Sequence, residues 1–349
     1  MSPLKLLIYA MGGGFGHLTR SLALARAALK RGHRVHILCN THAAQLFDFS
    51  QAIHFGRLEN TSSKLTGDFT ITAFSPDDSH DKFAESIQRF LQDAEYDVLV
   101  VDTFPRGLIG ELVAPLSQIR CPKVLVHRDL NPNYVEQYEL ADFVRANYRT
   151  LVMPGEEGPL AQMPGAILTA PWLACDSDEL LSSEAAREAL FIEPEDDRPV
   201  VAVTCNGKPD EQDECVELSV ELREQLGDRA IVRLVTLDQG ICERHPKASV
   251  RMWPFLRLHR SVDLVIGSGG YNTVHECRAT GTRLLAIARK RLYDRQAKRL
   301  LPAEVIPSPA DAQQRIAGHL DSLENGYSKH SVRYVNGATQ AIEHLEALL

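Results

Sequence analysis

Residues 4 to 10, "LKLLIYA", are an apolar run long enough for a strand buried on both faces, and they lead straight into glycines and then a helical pattern. Leu18, Leu22, Ala25 and Leu29 recur at helical spacing, Gly32 is placed to end the helix, and "RVHILC" reads as the next strand. A strand, a glycine turn, a helix and a second strand make a βαβ unit, which commits this part of the chain to a parallel sheet. The turn holds Gly12, Gly13, Gly14 and Gly16. Gly12 and Gly14 fit the first two glycines of a dinucleotide-binding turn, but His17 stands where the third belongs.

The apolar runs at 96–104 ("YDVLVVDTF") and 122–130 ("PKVLVHRDL") end in polar residues. Ligands of open α/β sheets bind at the carboxyl ends of strands, so Asp102, Arg128 and Asp129 are candidate site residues. An acidic, proline-bounded stretch from 168 to about 198 reads as a connection carrying one helix. The rhythm then restarts with strands expected at 199–205, 230–237, 248–255, 263–268 and 284–289, and the chain closes on an amphipathic helix. The fold class is α/β: two Rossmann-like, doubly wound domains with an interdomain cleft as the expected binding site. A chain of 349 residues is long enough for two such cores.

Composition excludes several classes. A net charge of -8 argues against a nucleic-acid partner. Seven scattered cysteines with no C-x-x-C spacing argue against a zinc site or a disulfide frame, and they fit a cytoplasmic protein. No apolar run reaches the length of a membrane span, so membrane contact is expected to be peripheral at most. "HRDLNPN" imitates a kinase catalytic loop, but the Asn spacing is one short and no other kinase motif accompanies it. "DSD" at 176–178 falls in the connecting stretch and is expected by chance in a chain this rich in Asp. The run 289–299, "RKRLYDRQAKR", reads as a solvated basic face, with contact to phosphates or an anionic surface as the alternative.

The second glycine turn carries more chemistry. A buried strand runs into Ser268, Gly269 and Gly270, and a helix opens near Tyr271 with Asn272 and Thr273 in its first turn. Unpaired N–H groups and the positive end of the helix dipole suit a diphosphate there. Glu276 follows one turn later, placed to accept the hydroxyls of an attached ribose, and Asp294 and Gln296 lie on the loop after the next strand, at the same expected sheet edge.

The run from Ser268 to Glu276 resembles the nucleotide-sugar signature of two-domain (GT-B type) glycosyltransferases. The later D-x-Q, Asp294 and Gln296, is similar to the sugar-contacting motif of MurG-like transferases, and the first glycine turn with its His, helix and G-H-x-V looks like the first motif of the same UDP-glycosyltransferase superfamily. The resemblance implies an N-terminal acceptor-binding domain over 1–167, a nucleotide-sugar-binding domain over 168–333 with 168–198 as linker, and a C-terminal helix at 334–349. It implies His17 as general base on an acceptor hydroxyl, oriented by Asp102. Donor contacts fall on Ser268, Gly269, Gly270, Asn272, Thr273, Glu276, Asp294 and Gln296.

The chain departs from the family pattern in two places. "AKRL" follows Gln296 where MurG-like proteins run toward Asn-Ala, and "TCNGKPDE" replaces a Gly-Gly-Ser type turn, leaving Asn206, Gly207 and Lys208 to meet phosphate or sugar. The implied activity is inverting transfer of a sugar from a nucleoside diphosphate donor, expected to be a UDP-sugar, without metal or other cofactor. The acceptor is unknown. A nucleotide-sugar hydrolase and a non-catalytic nucleotide-sugar-binding subunit are the open alternatives on the same scaffold.

Overall fold

The computed structural model describes residues 2–12, 15–45, 53, 68–75, 77–308, 311–312, 314–316, 318–319 and 332–348. The chain divides into two compact units, one of residues 1–174, 292–294 and 336–349, the other of 175–291 and 295–335.

The first unit is a seven-stranded, wholly parallel sheet in the order β3-β2-β1-β4-β5-β6-β7. Its strands are β1 (Lys5–Tyr9), β2 (Arg34–Asn40), β3 (Phe69–Phe74), β4 (Val98–Asp102), β5 (Lys123–Val126), β6 (Thr150–Pro154) and β7 (Ala166–Thr169). Helix α1 (Phe15–Lys30) joins β1 to β2, and α2 (His80–Asp93), capped by the Ser79 side chain, follows β3. The central strands are apolar between Lys5 at the start of β1 and Asp102 at the end of β4, as strands covered on both faces must be. Their side chains meet α2 in a core that includes Leu7, Tyr9, Ile87, Leu99, Val101 and Leu125.

From β1 the chain winds toward one edge, and from β4 toward the other. The two crossovers part between these strands, which makes the carboxyl ends of β1 and β4 the topological switch point, where a doubly wound sheet opens a crevice. His17 in the first turn of α1 and Asp102 at the end of β4 flank it.

The C-terminal helix Gly337–Leu348 closes this unit. Asn336 pairs with both the N–H and the C=O of Leu173, and a side chain at Gly337 would collide with the carbonyl of Ala170, so glycine is required for the helix to begin there. Farther along, Glu346 accepts the forked guanidinium of Arg31 (2.9 and 2.5 Å) and a bond from His33 (2.8 Å). His33 Nδ1 already accepts the N–H of Leu4, so Nε2 carries the proton it gives to Glu346.

The second unit is a five-stranded parallel sheet in the order β10-β9-β8-β11-β12, with β8 (Val200–Cys205), β9 (Ile231–Thr236), β10 (Ser249–Arg251), β11 (Leu264–Ser268) and β12 (Arg283–Ile287). Its switch point lies between β8 and β11. Helix α3 (Pro209–Leu226) follows β8 and α4 (Tyr271–Thr280) follows β11, so both begin at this edge. The expected helix of the connecting stretch is Ser183–Ala189, capped by Ser182. Residues 252–255, expected to extend the strand at 248–255, instead leave the sheet and lead into a 3-10 segment, Phe255–Ser261.

Candidate functional site

In the first unit, His17 Nδ1 lies 2.6 Å from Asp102 Oδ2. An ionised carboxylate can only accept, so Nδ1 carries the proton and Nε2 keeps its lone pair. The imidazole stacks on Phe104 with centroids 5.3 Å apart and planes 27° from parallel. Its other edge runs so close to the backbone that any side chain at Gly12 would strike it. Glycine at that position therefore makes room for His17. Gly16 has open space where a side chain would go, and Gly13 and Gly14 lie outside the described residues.

Arg20, one turn after His17 and wholly buried, forks onto the same carboxylate: Nε to Oδ1 at 2.8 Å and Nη2 to Oδ2 at 2.6 Å. Its Nη2 also reaches Thr103 Oγ1 at 3.0 Å. Burial alone would raise the Asp102 pKa, but the charge of Arg20 and the bond and charge of His17 hold it far below the usual carboxylate range. Burial lowers His17 below the ordinary histidine value; Asp102 opposes that shift, while the charges of Arg20 and Arg128 add to it. The site therefore presents a neutral imidazole at neutral pH.

In the second unit, β11 ends at Ser268, Gly269 and Gly270 follow, and α4 begins at Tyr271 with Gly270 as an N-cap that offers no side chain. The first N–H groups of that helix and its dipole make the start of α4 suited to an anion. Gly269 abuts Gln296 and Leu300, which a side chain would crowd at 3.0 to 3.3 Å. Gln296 opens the helical turn Gln296–Arg299, and its Oε1 accepts the N–H of Arg289 (2.9 Å), leaving its amide N–H group for a ligand. Asn272 and Thr273 are half-buried in the first turn of α4.

Glu276 is buried, and its carboxyl has no hydrogen-bond or ion-pair partner among the described residues. Burial lifts it to about 8. A carboxyl held without a partner at a strand's carboxyl edge is costly to keep, and such groups cluster at functional sites. On the β8 side, Asn206 Oδ1 accepts the N–H of Leu237 (3.1 Å), and Gly207 is pressed against the Glu211 carboxylate, with no room for a side chain. Lys208 is exposed, and its backbone N–H donates to the Glu211 carboxylate (3.2 Å) at the start of α3.

Solved structures share the fold that carries these residues. Glycosyltransferase SnogD from Streptomyces nogalater is similar over 99% of each chain, at 15% identity and TM-score 0.60. The spinosyn rhamnosyltransferase SpnG, complexed with thymidine diphosphate, is similar over 97% of this chain and 95% of its own, at 15% identity and TM-score 0.57. The chain has the GT-B fold. A UDP-GlcNAc 2-epimerase from Neisseria meningitidis bound to UDP-GlcNAc shares that fold over 99% of this chain and all of its own, at 11% identity and TM-score 0.62. The GT-B fold alone thus does not fix the reaction. No family model matches the sequence, and no curated protein matches it.

Within this GT-B chain the structure groups most of the expected site residues, but not all of them. Ser268 to Glu276, Gln296, Asn206 and Gly207 gather at the carboxyl edge of the second sheet. Asp294 belongs to the first unit: Leu130 and Asp294 form a β-bridge, and Asp294 receives an ion pair from Arg128 at 3.5 Å. Neighbouring Tyr293 packs edge-on against Phe104, the ring that stacks on His17. Arg20 was not singled out from the sequence, although its i+3 spacing from His17 on a helix was the available signal. Among the described residues, no cluster of three or more His, Cys, Asp or Glu suits a metal ion, and no helix is long and apolar enough to cross a membrane.

Proposed function

We propose that this protein is an inverting glycosyltransferase that moves a sugar from a nucleoside diphosphate donor, a UDP-sugar by the resemblance of its motifs to MurG-like proteins, to an acceptor hydroxyl. The observation that carries the reading is the His17–Asp102 pair, in which the carboxylate fixes the tautomer and leaves Nε2 as the base.

In this reading the acceptor O–H gives its proton to His17 Nε2 as the oxygen attacks the anomeric carbon. The bond from that carbon to the diphosphate oxygen breaks, and the nucleoside diphosphate leaves with the bonding electrons. Asp102 orients the imidazole and keeps accepting from its Nδ1–H as the imidazolium forms. The uncapped start of α4 receives the diphosphate charge, so no step requires a metal. Glu276 accepts the ribose hydroxyls, and Gln296 offers its amide to the sugar. The nucleotide complexes named for SpnG and for the epimerase support a nucleotide ligand on this fold. All seven cysteines are free thiols, which supports a reducing, cytoplasmic location.

The test is a thermal-shift titration with UDP, dTDP, GDP and ADP, each with and without EDTA. Chelator-insensitive stabilisation by UDP above the others supports the donor site and the UDP assignment. Loss of the shift with EDTA would contradict metal independence, and a response to none would overturn the donor site.

A further inference from the structure

Asp102 Oδ2 accepts from both His17 Nδ1 and Arg20 Nη2, each at 2.6 Å, while Arg20 Nε takes Oδ1 at 2.8 Å. Both oxygens of the carboxylate that aims the candidate base are therefore bound by one guanidinium. Asp102 and Arg20 are almost wholly buried, so solvent screens this pairing little. Thr103 extends it, accepting from Arg20 Nη2 at 3.0 Å and lying 3.2 Å from Asp102 Oδ2. The planar fork fixes the carboxylate plane, which a single contact from His17 would leave free to turn.

We propose that Arg20 is a positioning residue of this site: its fork on Asp102 sets the carboxylate that aims His17 and cancels that carboxylate's charge, keeping the imidazole available as an unprotonated base. The inference rests on the reading of His17 as the base.

The sign follows from the groups that face the imidazole. Asp102 comes from β4, Arg20 from the helix of His17 itself, and Arg128 acts through its charge from the end of β5, while the Phe104 ring is uncharged. With Arg20 present, Asp102 and Arg20 are neutral together, and a proton on His17 adds net charge to a buried cluster. Without Arg20, the imidazolium becomes the counter-charge of Asp102, and protonation neutralises the cluster. Removing the guanidinium therefore favours protonated His17.

The experiment is an NMR titration of the imidazole nitrogens in the 15N-labelled full-length protein without substrate, with His17 signals assigned by their absence in His17→Gln. The wild-type midpoint is expected below the roughly 6.5 of free histidine. In Arg20→Met it is expected to rise by about one unit or more, the scale of a neighbouring charge. Arg20→Lys, which keeps the charge without the fork, is expected to stay near wild type. An unmoved midpoint in Arg20→Met would overturn the proposal.

Should Arg20→Met not fold, the double variant Arg20→Met/Asp102→Asn removes both charges together. Its midpoint is expected above that of Asp102→Asn alone, which keeps the guanidinium charge beside His17, and equal midpoints would overturn the proposal. Because the titration needs no turnover, it separates this inference from the catalytic role of His17. If His17→Ala abolishes transfer but the Arg20→Met midpoint is unmoved, only the Arg20 inference fails. If the midpoint shifts but His17→Ala transfers normally, the coupling of Arg20 to the imidazole stands, while the reading of His17 as the base fails and the positioning role falls with it.

Discussion

The guanidinium of Arg291 forks onto the carboxylate of Glu211, with Nη2 2.7 Å from Oε2. Arg289 Nη2 makes a single contact with Glu214 Oε2 (2.5 Å), so the loop after β12 is tied to the helix after β8, the strands that flank β11 on either side. Two of the six basic residues in the run at 289–299 are thus committed to ion pairs rather than to a solvated face.

Arg291→Met should destabilise the protein by about 1 to 3 kcal/mol near pH 7, the scale of a hydrogen-bonded charge. Burial pushes the Glu211 carboxyl up, but Arg291 and the Lys208 N–H bring it below its usual value. The stabilisation is present above the unfolded carboxyl value and is lost as pH falls through the lower folded value. Urea unfolding of the variant and wild type should therefore converge in acid.

Glu276 should show the opposite sign. Its folded value of about 8 lies above that of an unfolded glutamate, so its contribution is full below about pH 4.5 and is lost as pH rises toward 8. Glu276→Gln should accordingly stabilise the protein at pH 8, on the order of 1 to 4 kcal/mol, and leave it unchanged at pH 4.5. The same substitution should weaken nucleotide binding. Ribose hydroxyls favour the ionised carboxylate, so wild-type binding at pH 7 should release a proton, measurable by calorimetry in buffers of different ionisation enthalpy. Tighter nucleotide binding by the variant would contradict the assignment.

Both glycine turns and the strands that feed them were legible in the sequence, because a strand buried on both faces is a run of apolar residues and a helix opening after it leaves a readable stripe. β3, β6 and β7 were not. β3 is an edge strand whose "FTITAF" is half-exposed, and β7 has four residues with Leu168 facing solvent, so neither shows the continuous apolar signal. His17 and Asp102 could be paired by resemblance, since one opens the helix after the glycine turn and the other ends an apolar strand. Arg20 could not, because an arginine on a helix that also carries Arg26 and Lys30 ordinarily reads as a solvated one, and only the fold brings Asp102 to it across 82 residues of chain. Asp294 reads with Gln296 as one motif, yet the two go to different units because the bridge to Leu130 draws residues 292–294 into the first.

The return of the C-terminal helix depends on Glu346. Glu346→Ala removes the acceptor of both Arg31 and His33, and should cost about 1 to 2 kcal/mol through bonds that involve charge. Thermal unfolding of the variant should shift downward, and hydrogen exchange should rise first in Gly337–Leu348. Uniform exchange along the chain would show that the helix is held by its apolar face alone.

Asp102→Asn should be costly for two separate reasons. It leaves the buried Arg20 charge uncompensated, a loss of about 3 to 5 kcal/mol in stability. It also permits His17 to turn to the wrong tautomer, so turnover should fall even at temperatures where the variant is fully folded. Chemical denaturation and activity measured on the same preparation separate the two effects. Normal turnover in a folded variant would remove Asp102 from the mechanism.

The central claim is tested most directly by following one transfer reaction by 1H NMR, with wild type and His17→Ala given the same nucleotide sugar and acceptor. The account predicts a product whose anomeric configuration is inverted. It also predicts a rate for His17→Ala lower by about 10²- to 10⁴-fold, with donor affinity little changed. A product that retains the donor's configuration, or a His17→Ala enzyme as fast as wild type, would contradict it.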